Sequence, residues 1–228
     1  MADTSRGILL PVYVLADESF SMNPQRDELN AGLIALHESL RAEPMIAAKV
    51  RLAVLGFSDD VKVRLPLADV RSERHLPQLT MRGGTSYEAV FNDLLVRIPH
   101  DVSALKNDGY KVHRPAVFFL SDGQPTDDDD DAWQVPHRRL IDRAVTPPAP
   151  NIIACGIGDA EPRTILEVAT NPNFAFVSVP GADLGRSIAQ FFNALTASVV
   201  ESGRAMASGN PELRIERPDT FNMAIDYV

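Results

Sequence analysis

Five oxygen-bearing side chains stand where apolar runs of this chain give way to turns. Asp17, Ser19 and Ser21 follow the run Leu9 to Ala16; Thr85 follows Gly83-Gly84; Asp122 follows Ala116-Val117-Phe118-Phe119-Leu120-Ser121 and precedes Gly123. Two carboxylates and three hydroxyls form an all-oxygen set, suited to a hard divalent cation: Mg2+, with Mn2+ or Ca2+ as alternatives. The carboxylates just neutralise such an ion, and the hydroxyls add coordination without charge. Mg2+ keeps several waters in an octahedral shell, so an ion held this way stays open to an anionic ligand from outside. Alternate spacing at 17, 19 and 21 lets the side chains face one side of a turn. Gly83-Gly84 permits the sharp turn that brings the Thr85 hydroxyl in.

The elements that must position these groups are legible from the hydrophobic pattern. Leu9 to Ala16 is apolar on both faces, as in a strand covered on both sides; Pro11, lacking an amide donor, belongs near its start. Leu29, Leu33, Leu36 and Leu40 then repeat at helical spacing. Val50 to Phe57 and Val61 to Leu65 read as strands separated only by Ser58-Asp59-Asp60, a gap too short for a parallel crossover, so they form an antiparallel hairpin. A helix is expected from Ser86 to about Arg97. Strands follow at Ala116–Leu120, Asn151–Ile157 and Phe174–Val179, with helices around Asp131–Val145, Pro162–Thr170 and Asp183–Val200. Alternating strands and helices imply a doubly wound α/β sandwich with a mixed sheet. Ligands of such sheets bind beyond the carboxyl ends of the strands, where strand order reverses, and all three polar clusters fall at such ends. One domain is expected over 1–207. The tail 208–228 is polar and then apolar from Phe221 to Ile225; it either docks as an extra strand or is disordered.

Taken together, Asp17-Glu18-Ser19-Phe20-Ser21, Gly84-Thr85 and Ser121-Asp122-Gly123 resemble the metal-ion-dependent adhesion site of von Willebrand factor type A domains: Asp-x-Ser-x-Ser, a distant Thr and a distant Asp. The resemblance covers about residues 8 to 200. It implies a Rossmann-like three-layer sandwich with a six-stranded, mostly parallel sheet and one antiparallel edge strand. It implies Ser19 and Ser21 as direct ligands, Thr85 and Asp122 as direct or water-mediated ones, and Asp17 acting mostly through water and hydrogen bonds to the serines. The implied function is a protein-binding module, not an enzyme, whose cation takes an Asp or Glu carboxylate from a partner protein. Leu10-Pro11-Val12-Tyr13 and the run Ser121 to Asp127 are most similar to the bacterial TerY-like branch, associated with tellurite-resistance and stress gene clusters. Relatives commonly carry Gly where this chain has Phe20, which either meets a partner or packs down onto the site.

Other chemistries fit less well. An aspartyl-phosphate phosphohydrolase using Asp17 and Mg2+ is the enzymatic alternative, yet it usually needs a second acid where this chain has Ser19. There is no Gly-x-Ser-x-Gly elbow and no phosphate loop of the Walker type. Gly156-Ile157-Gly158-Asp159 lacks the third glycine of a dinucleotide fingerprint and reads as a strand-end turn. His37, His75, His100, His113 and His137 show no zinc-ligand spacing, and the single Cys155 excludes an internal disulfide. Trp133 and Phe191-Phe192 read as core. A net charge of −9 argues against nucleic acid or an anionic membrane as partner. The acidic run Asp127 to Asp131 reads as a solvated loop, with a weak extra cation site as the alternative. The polar start and the interrupted first apolar run suggest no secretory leader or spanning helix, hence a cytoplasmic protein. A third possibility is a scaffold that carries the metal but binds by its surface alone.

Overall fold

Alternation along the first strand sets the architecture. In the computed structural model, which describes residues 6–127, 131–209 and 212–228, β1 (Ile8–Asp17) is buried along nearly its whole length. Leu10, Val12, Val14 and Ala16 face one core; Tyr13 and Leu15 face the other. The first core is closed by α1 (Arg26–Ala42), the short α2 (Pro44–Ala47) and, from the end of the chain, residues 188–206 of the last helix. The second is closed by helices that follow β2 (Val50–Phe57) and β3 (Val61–Ala68). These are α3 (Tyr87–Asn107), α4 (Gln134–Ile141) and α5 (Pro162–Val168), and between them run β4 (Lys111–Val112), β5 (Ala116–Ser121) and β6 (Asn151–Gly156). β7 (Ala175–Ser178), α6 (Leu184–Ala207) and β8 (Phe221–Met223) complete the chain.

The sheet order is β3-β2-β1-β5-β6-β7-β8, with β4 also on β1. β1, β2, β5, β6 and β7 are parallel, and β3 pairs antiparallel with β2, as the three-residue gap requires. The chain leaves β1 toward β2 on one side and returns to β5 on the other. Strand order therefore reverses between β1 and β5, and the crevice beyond their carboxyl ends is where this topology binds ligands.

The expected six strands are joined by two short ones, β4 and β8. β8 pairs antiparallel with β7, matching Phe176 with Met223 and Ser178 with Phe221. The segment before it lies on α6, held by side chains of that helix. Ser202 Oγ accepts from the Arg214 amide (2.9 Å), Ser198 Oγ from the Glu216 amide (2.8 Å) and Gln190 Oε1 from the Thr220 amide (2.6 Å).

Two elements outrun the pattern. α3 continues ten residues past Arg97 and through Pro99. An interior proline costs about 3 kcal/mol; beyond it Val102 is buried, contributing roughly 1.5–3 kcal/mol against that cost. β3 extends to Ala68 through Pro66, which an edge strand tolerates. Trp133, Phe191, Phe192 and Cys155 are core residues, as expected, and burial pushes the Cys155 thiol up. Among the described residues no helix is long and apolar enough to cross a membrane.

Candidate metal centre

Asp17 is the last residue of β1 and is fully buried, because β2 and β5 flank that strand to its end. Both its oxygens are occupied: Oδ1 accepts from the Ser19 amide (2.8 Å) and Oδ2 from Ser121 Oγ (2.6 Å). The first bond shapes the turn that lifts Ser19 and Ser21 off the strand. Ser21 Oγ donates to Asp122 Oδ1 (2.8 Å), so its contact with Ser19 Oγ (2.9 Å) is accepted from Ser19. Ser19, Ser21 and Asp122 thus form one chain of hydrogen bonds across the mouth of the β1–β5 crevice, and Asp17 anchors it from below.

Thr85 arrives on a separate loop. Its amide donates to Thr126 Oγ1 (2.9 Å) and its carbonyl accepts from the Thr126 amide (2.8 Å), which laces it to the Asp122 loop. Two residues earlier the Phe20 amide donates to Gly83 O (3.2 Å), joining the same loop to the serine turn. Gly83 has φ +54°, and a Cβ there would lie 2.0 Å from Asp59 Oδ2, so glycine is required. Thr85 is buried, and its hydroxyl has no hydrogen-bond partner among the described residues. Asp127, two residues beyond the Asp122 loop's glutamine and proline, caps α3: it accepts from Ser86 Oγ (2.5 Å) and from the Tyr87 and Glu88 amides (3.1 and 3.2 Å). Asp127 is therefore a cap, while 128–130 of the acidic run lie outside the described residues.

The donor set fits a divalent cation on its electrostatics. Neither Asp17 nor Asp122 has a cationic partner among the described residues. Burial pushes the Asp17 pKa up to about 6, against the lowering effect of the Ser121 and Ser19 hydrogen bonds. Burial also raises Asp122, opposed by the Ser21 bond and reinforced by repulsion from Asp159 in the turn after β6. Two desolvated, uncompensated carboxylates beside three hydroxyl oxygens make a site that a hard cation would complete. Among the described residues there is no grouping of three or more His, Cys, Asp or Glu as ligands, so hydroxyls must carry part of any coordination. Ser19, Ser21, Thr85 and Asp122 are the residues available to hold the ion, with Asp17 orienting the serines.

A pH dependence follows for the chelated protein. Asp17 holds its proton more tightly when folded than unfolded, so stability falls as pH rises from about 4 to 6, by roughly 2–3 kcal/mol from this group. Denaturant unfolding with chelator present should show that fall, and Asp17→Asn should flatten it.

The residue that sequence reasoning passed over is Glu18. It is fully buried and clamped by two arginines. Arg64 donates to both its oxygens (Nε 2.7 Å, Nη2 2.8 Å), Arg82 Nε to Oε2 (2.9 Å), and the Thr80 amide to Oε1 (3.2 Å). Arg82 also bonds Asp60 and the carbonyls of Gly56 and Asp60, while its own amide donates to Glu18 O (2.6 Å). One side chain thus ties the serine turn, the β2–β3 hairpin and the start of the Thr85 loop together. The available signals were Gly56 inside a strand, where a Cβ would lie 2.2 Å from the Glu18 carboxyl carbon, and an acid directly after a buried strand. Phe20 is 68% exposed: it does not pack down onto the site.

No protein-family model matches the chain, and no curated protein sequence matches it. Solved structures do, and they define the class: the fold is that of von Willebrand factor type A domains. A von Willebrand factor type A protein from Catenulispora acidiphila is 16% identical at TM-score 0.53, over 85% of this chain and 43% of that one. The pilus adhesin SpaC from Lactobacillus rhamnosus GG, in an open conformation, is 12% identical at TM-score 0.65, over 86% and 30%. Proximal thread matrix protein 1 from the mussel byssus, solved with a zinc-occupied MIDAS motif, is 15% identical at TM-score 0.58, over 85% and 48%. This chain spans less than half the length of each.

Proposed function

We propose that this domain binds one divalent cation through Ser19, Ser21, Thr85 and Asp122, with Asp17 as the orienting residue, and that the cation takes an Asp or Glu carboxylate of a protein partner. The observation that carries this reading is the hydrogen-bonded chain Ser19–Ser21–Asp122 at the strand-order reversal, beside buried carboxylates that lack a cationic partner among the described residues. Mg2+ suits the oxygen set best, with Mn2+ or Ca2+ as alternatives. A zinc-occupied MIDAS motif in the mussel protein supports a divalent ion at this place in the fold.

A non-enzymatic role is part of the proposal. Asp17, the candidate nucleophile of a phosphohydrolase, is fully buried with both oxygens hydrogen-bonded, an arrangement suited to orienting neighbours and not to attack. A cytoplasmic setting, supported by the single cysteine, and a place in a bacterial tellurite-resistance or stress system, supported by the sequence likeness, belong to the same proposal. The expectation that the partner is neither nucleic acid nor membrane belongs to it too, supported by the net charge of −9.

The test is a displayed-peptide screen against the immobilised domain in Mg2+ and again in chelator. Peptides selected in Mg2+ should share an Asp or Glu and should be released by chelator. Binders that persist equally in chelator would favour a scaffold that works by its surface alone. Phe20, exposed in the serine turn, is positioned to add apolar contact. Phe20→Ser should leave metal affinity unchanged within about twofold and weaken a selected peptide roughly tenfold, both read by titration calorimetry.

A further inference from the structure

The metal centre lies at the carboxyl ends of β1 and β5; the amino ends of β5 and β6 carry charge of the opposite sign. There a cleft of about 200 Å³ opens between the last turns of α3, the link from β4 to β5 and the proline-rich loop that enters β6. Its charged or titratable side chains are Lys106, His113 and Arg114; valines, prolines and one alanine make the rest of its walls. Acids outnumber bases 31 to 22 in the chain, yet no acid lines this cleft. Pro115, Pro147 and Pro148 have fixed φ, which stiffens the walls.

Arg114 is the residue that points to a ligand. Among the described residues Arg51, Arg64, Arg82, Arg97 and Arg114 are the arginines wholly or partly removed from solvent. Arg51 meets Asp69, Arg64 and Arg82 meet Glu18, and Arg97 meets Asp93. Arg114 has no carboxylate partner among the described residues. Its Nη1 donates to Ala149 O (2.8 Å) in the wall of the cleft, which anchors the guanidinium; its other donors have no partner there. Burial lowers the Arg114 pKa and the nearby Arg143 charge lowers it further, so the cation is desolvated beside a like charge with no counter-charge to offset either. Lys106 and Arg143 likewise lack an ion-pair partner among the described residues. His113 Nδ1 donates to Arg114 O (3.2 Å), which leaves its Nε2 without a protein partner among them.

We propose that this cleft binds a phosphate monoester, with Arg114 and Lys106 holding the phosphate and the valine and proline walls receiving the apolar part of the molecule. A guanidinium fork suits two oxygens of one phosphate, and Lys adds a point charge. Several cations without counter-charge match a dianion better than a monoanion. The six residues of β5, at about 3.3 Å each, put roughly 20 Å between this cleft and the metal centre. That is more than two Debye lengths at physiological salt, about 8 Å each, so the proposal stands apart from the metal-dependent reading.

The experiment titrates phenyl phosphate, inorganic phosphate and benzoate separately, at constant ionic strength, into the chelated, isotope-labelled protein. The backbone amide resonances of Lys106, His113 and Arg114 are followed. Saturable movement with phenyl phosphate is expected, with inorganic phosphate binding more weakly and benzoate more weakly still, while the amides of Ser19 and Asp122 stay in place. Arg114→Gln should weaken phenyl phosphate roughly tenfold, and Lys106→Gln roughly threefold. Lys106 is exposed and its side chain bonds nothing among the described residues, so the second variant tests the cleft without disturbing the fold. No saturable movement, equal binding of benzoate and phenyl phosphate, or binding unchanged in Lys106→Gln would overturn the site.

Discussion

Glu18→Ala is expected to cost about 3 kcal/mol of folding stability, measured by denaturant unfolding of the chelated protein. Breaking a buried ion pair by removing one partner typically costs about 3–5 kcal/mol, because the other charge is left uncompensated. Here Arg64 and Arg82 keep 19% and 24% of their side-chain surface exposed. Water recovers part of their solvation, which places the loss at the lower end of that range. The same change frees the start of the Thr85 loop from the serine turn, since Arg82 loses its buried anchor. Metal affinity should therefore fall as well, more than in Arg64→Lys, because Arg64's other side-chain bond among the described residues is to Thr80, away from the Thr85 loop's link to the serine turn. A stability loss below about 1 kcal/mol would mean that the clamp behaves as an ordinary surface pair.

Asp122→Ala has a different signature. In the absence of metal it removes a desolvated carboxylate that repels Asp159 and forfeits one hydrogen bond from Ser21. Those effects oppose each other, so the chelated variant should be as stable as the chelated wild type within about 1 kcal/mol. With metal the two should separate widely. A ligand at a hundred times its dissociation constant stabilises the folded state by about 2.7 kcal/mol, and the variant should lose essentially all of that. Acidic-peptide binding in Mg2+ should be lost with it. A purely structural aspartate would reverse the pattern, lowering stability equally with and without metal.

The parts of the site legible in the sequence are those whose causes are local. Asp17, Ser19 and Ser21 mark the place where a doubly buried strand ends; the β2–β3 hairpin follows from a gap too short for anything else; Gly83 and Gly84 announce a close approach. What escaped depends on distant partners. Arg64 and Arg82 meet Glu18 from 46 and 64 residues away, and no local periodicity records such a pairing. Thr126 gave no signal of its own, yet it laces the Asp122 loop to the Thr85 loop; Asp127 reads locally as a turn or cap residue, but that the helix it caps is α3 follows only from the fold setting two loop ends side by side. α3 runs through Pro99, where tertiary burial of Val102 offsets a local penalty. The tail's strand was one of two readings of its apolar end. What holds it lies on α6, where Ser198 and Ser202, four residues apart on a buried face, accept from the Glu216 and Arg214 amides.

The most direct measurement is the thermal midpoint of chelator-treated wild-type protein as Mg2+, Mn2+ and Ca2+ are titrated separately, with Asp122→Ala alongside. A cation that binds only the folded state must raise the midpoint. A saturable rise in wild type with at least one of these ions, absent in the variant, is the expected result. A flat response to all three ions through the millimolar range, or an equal rise in both proteins, would contradict a cation held by Ser19, Ser21, Thr85 and Asp122.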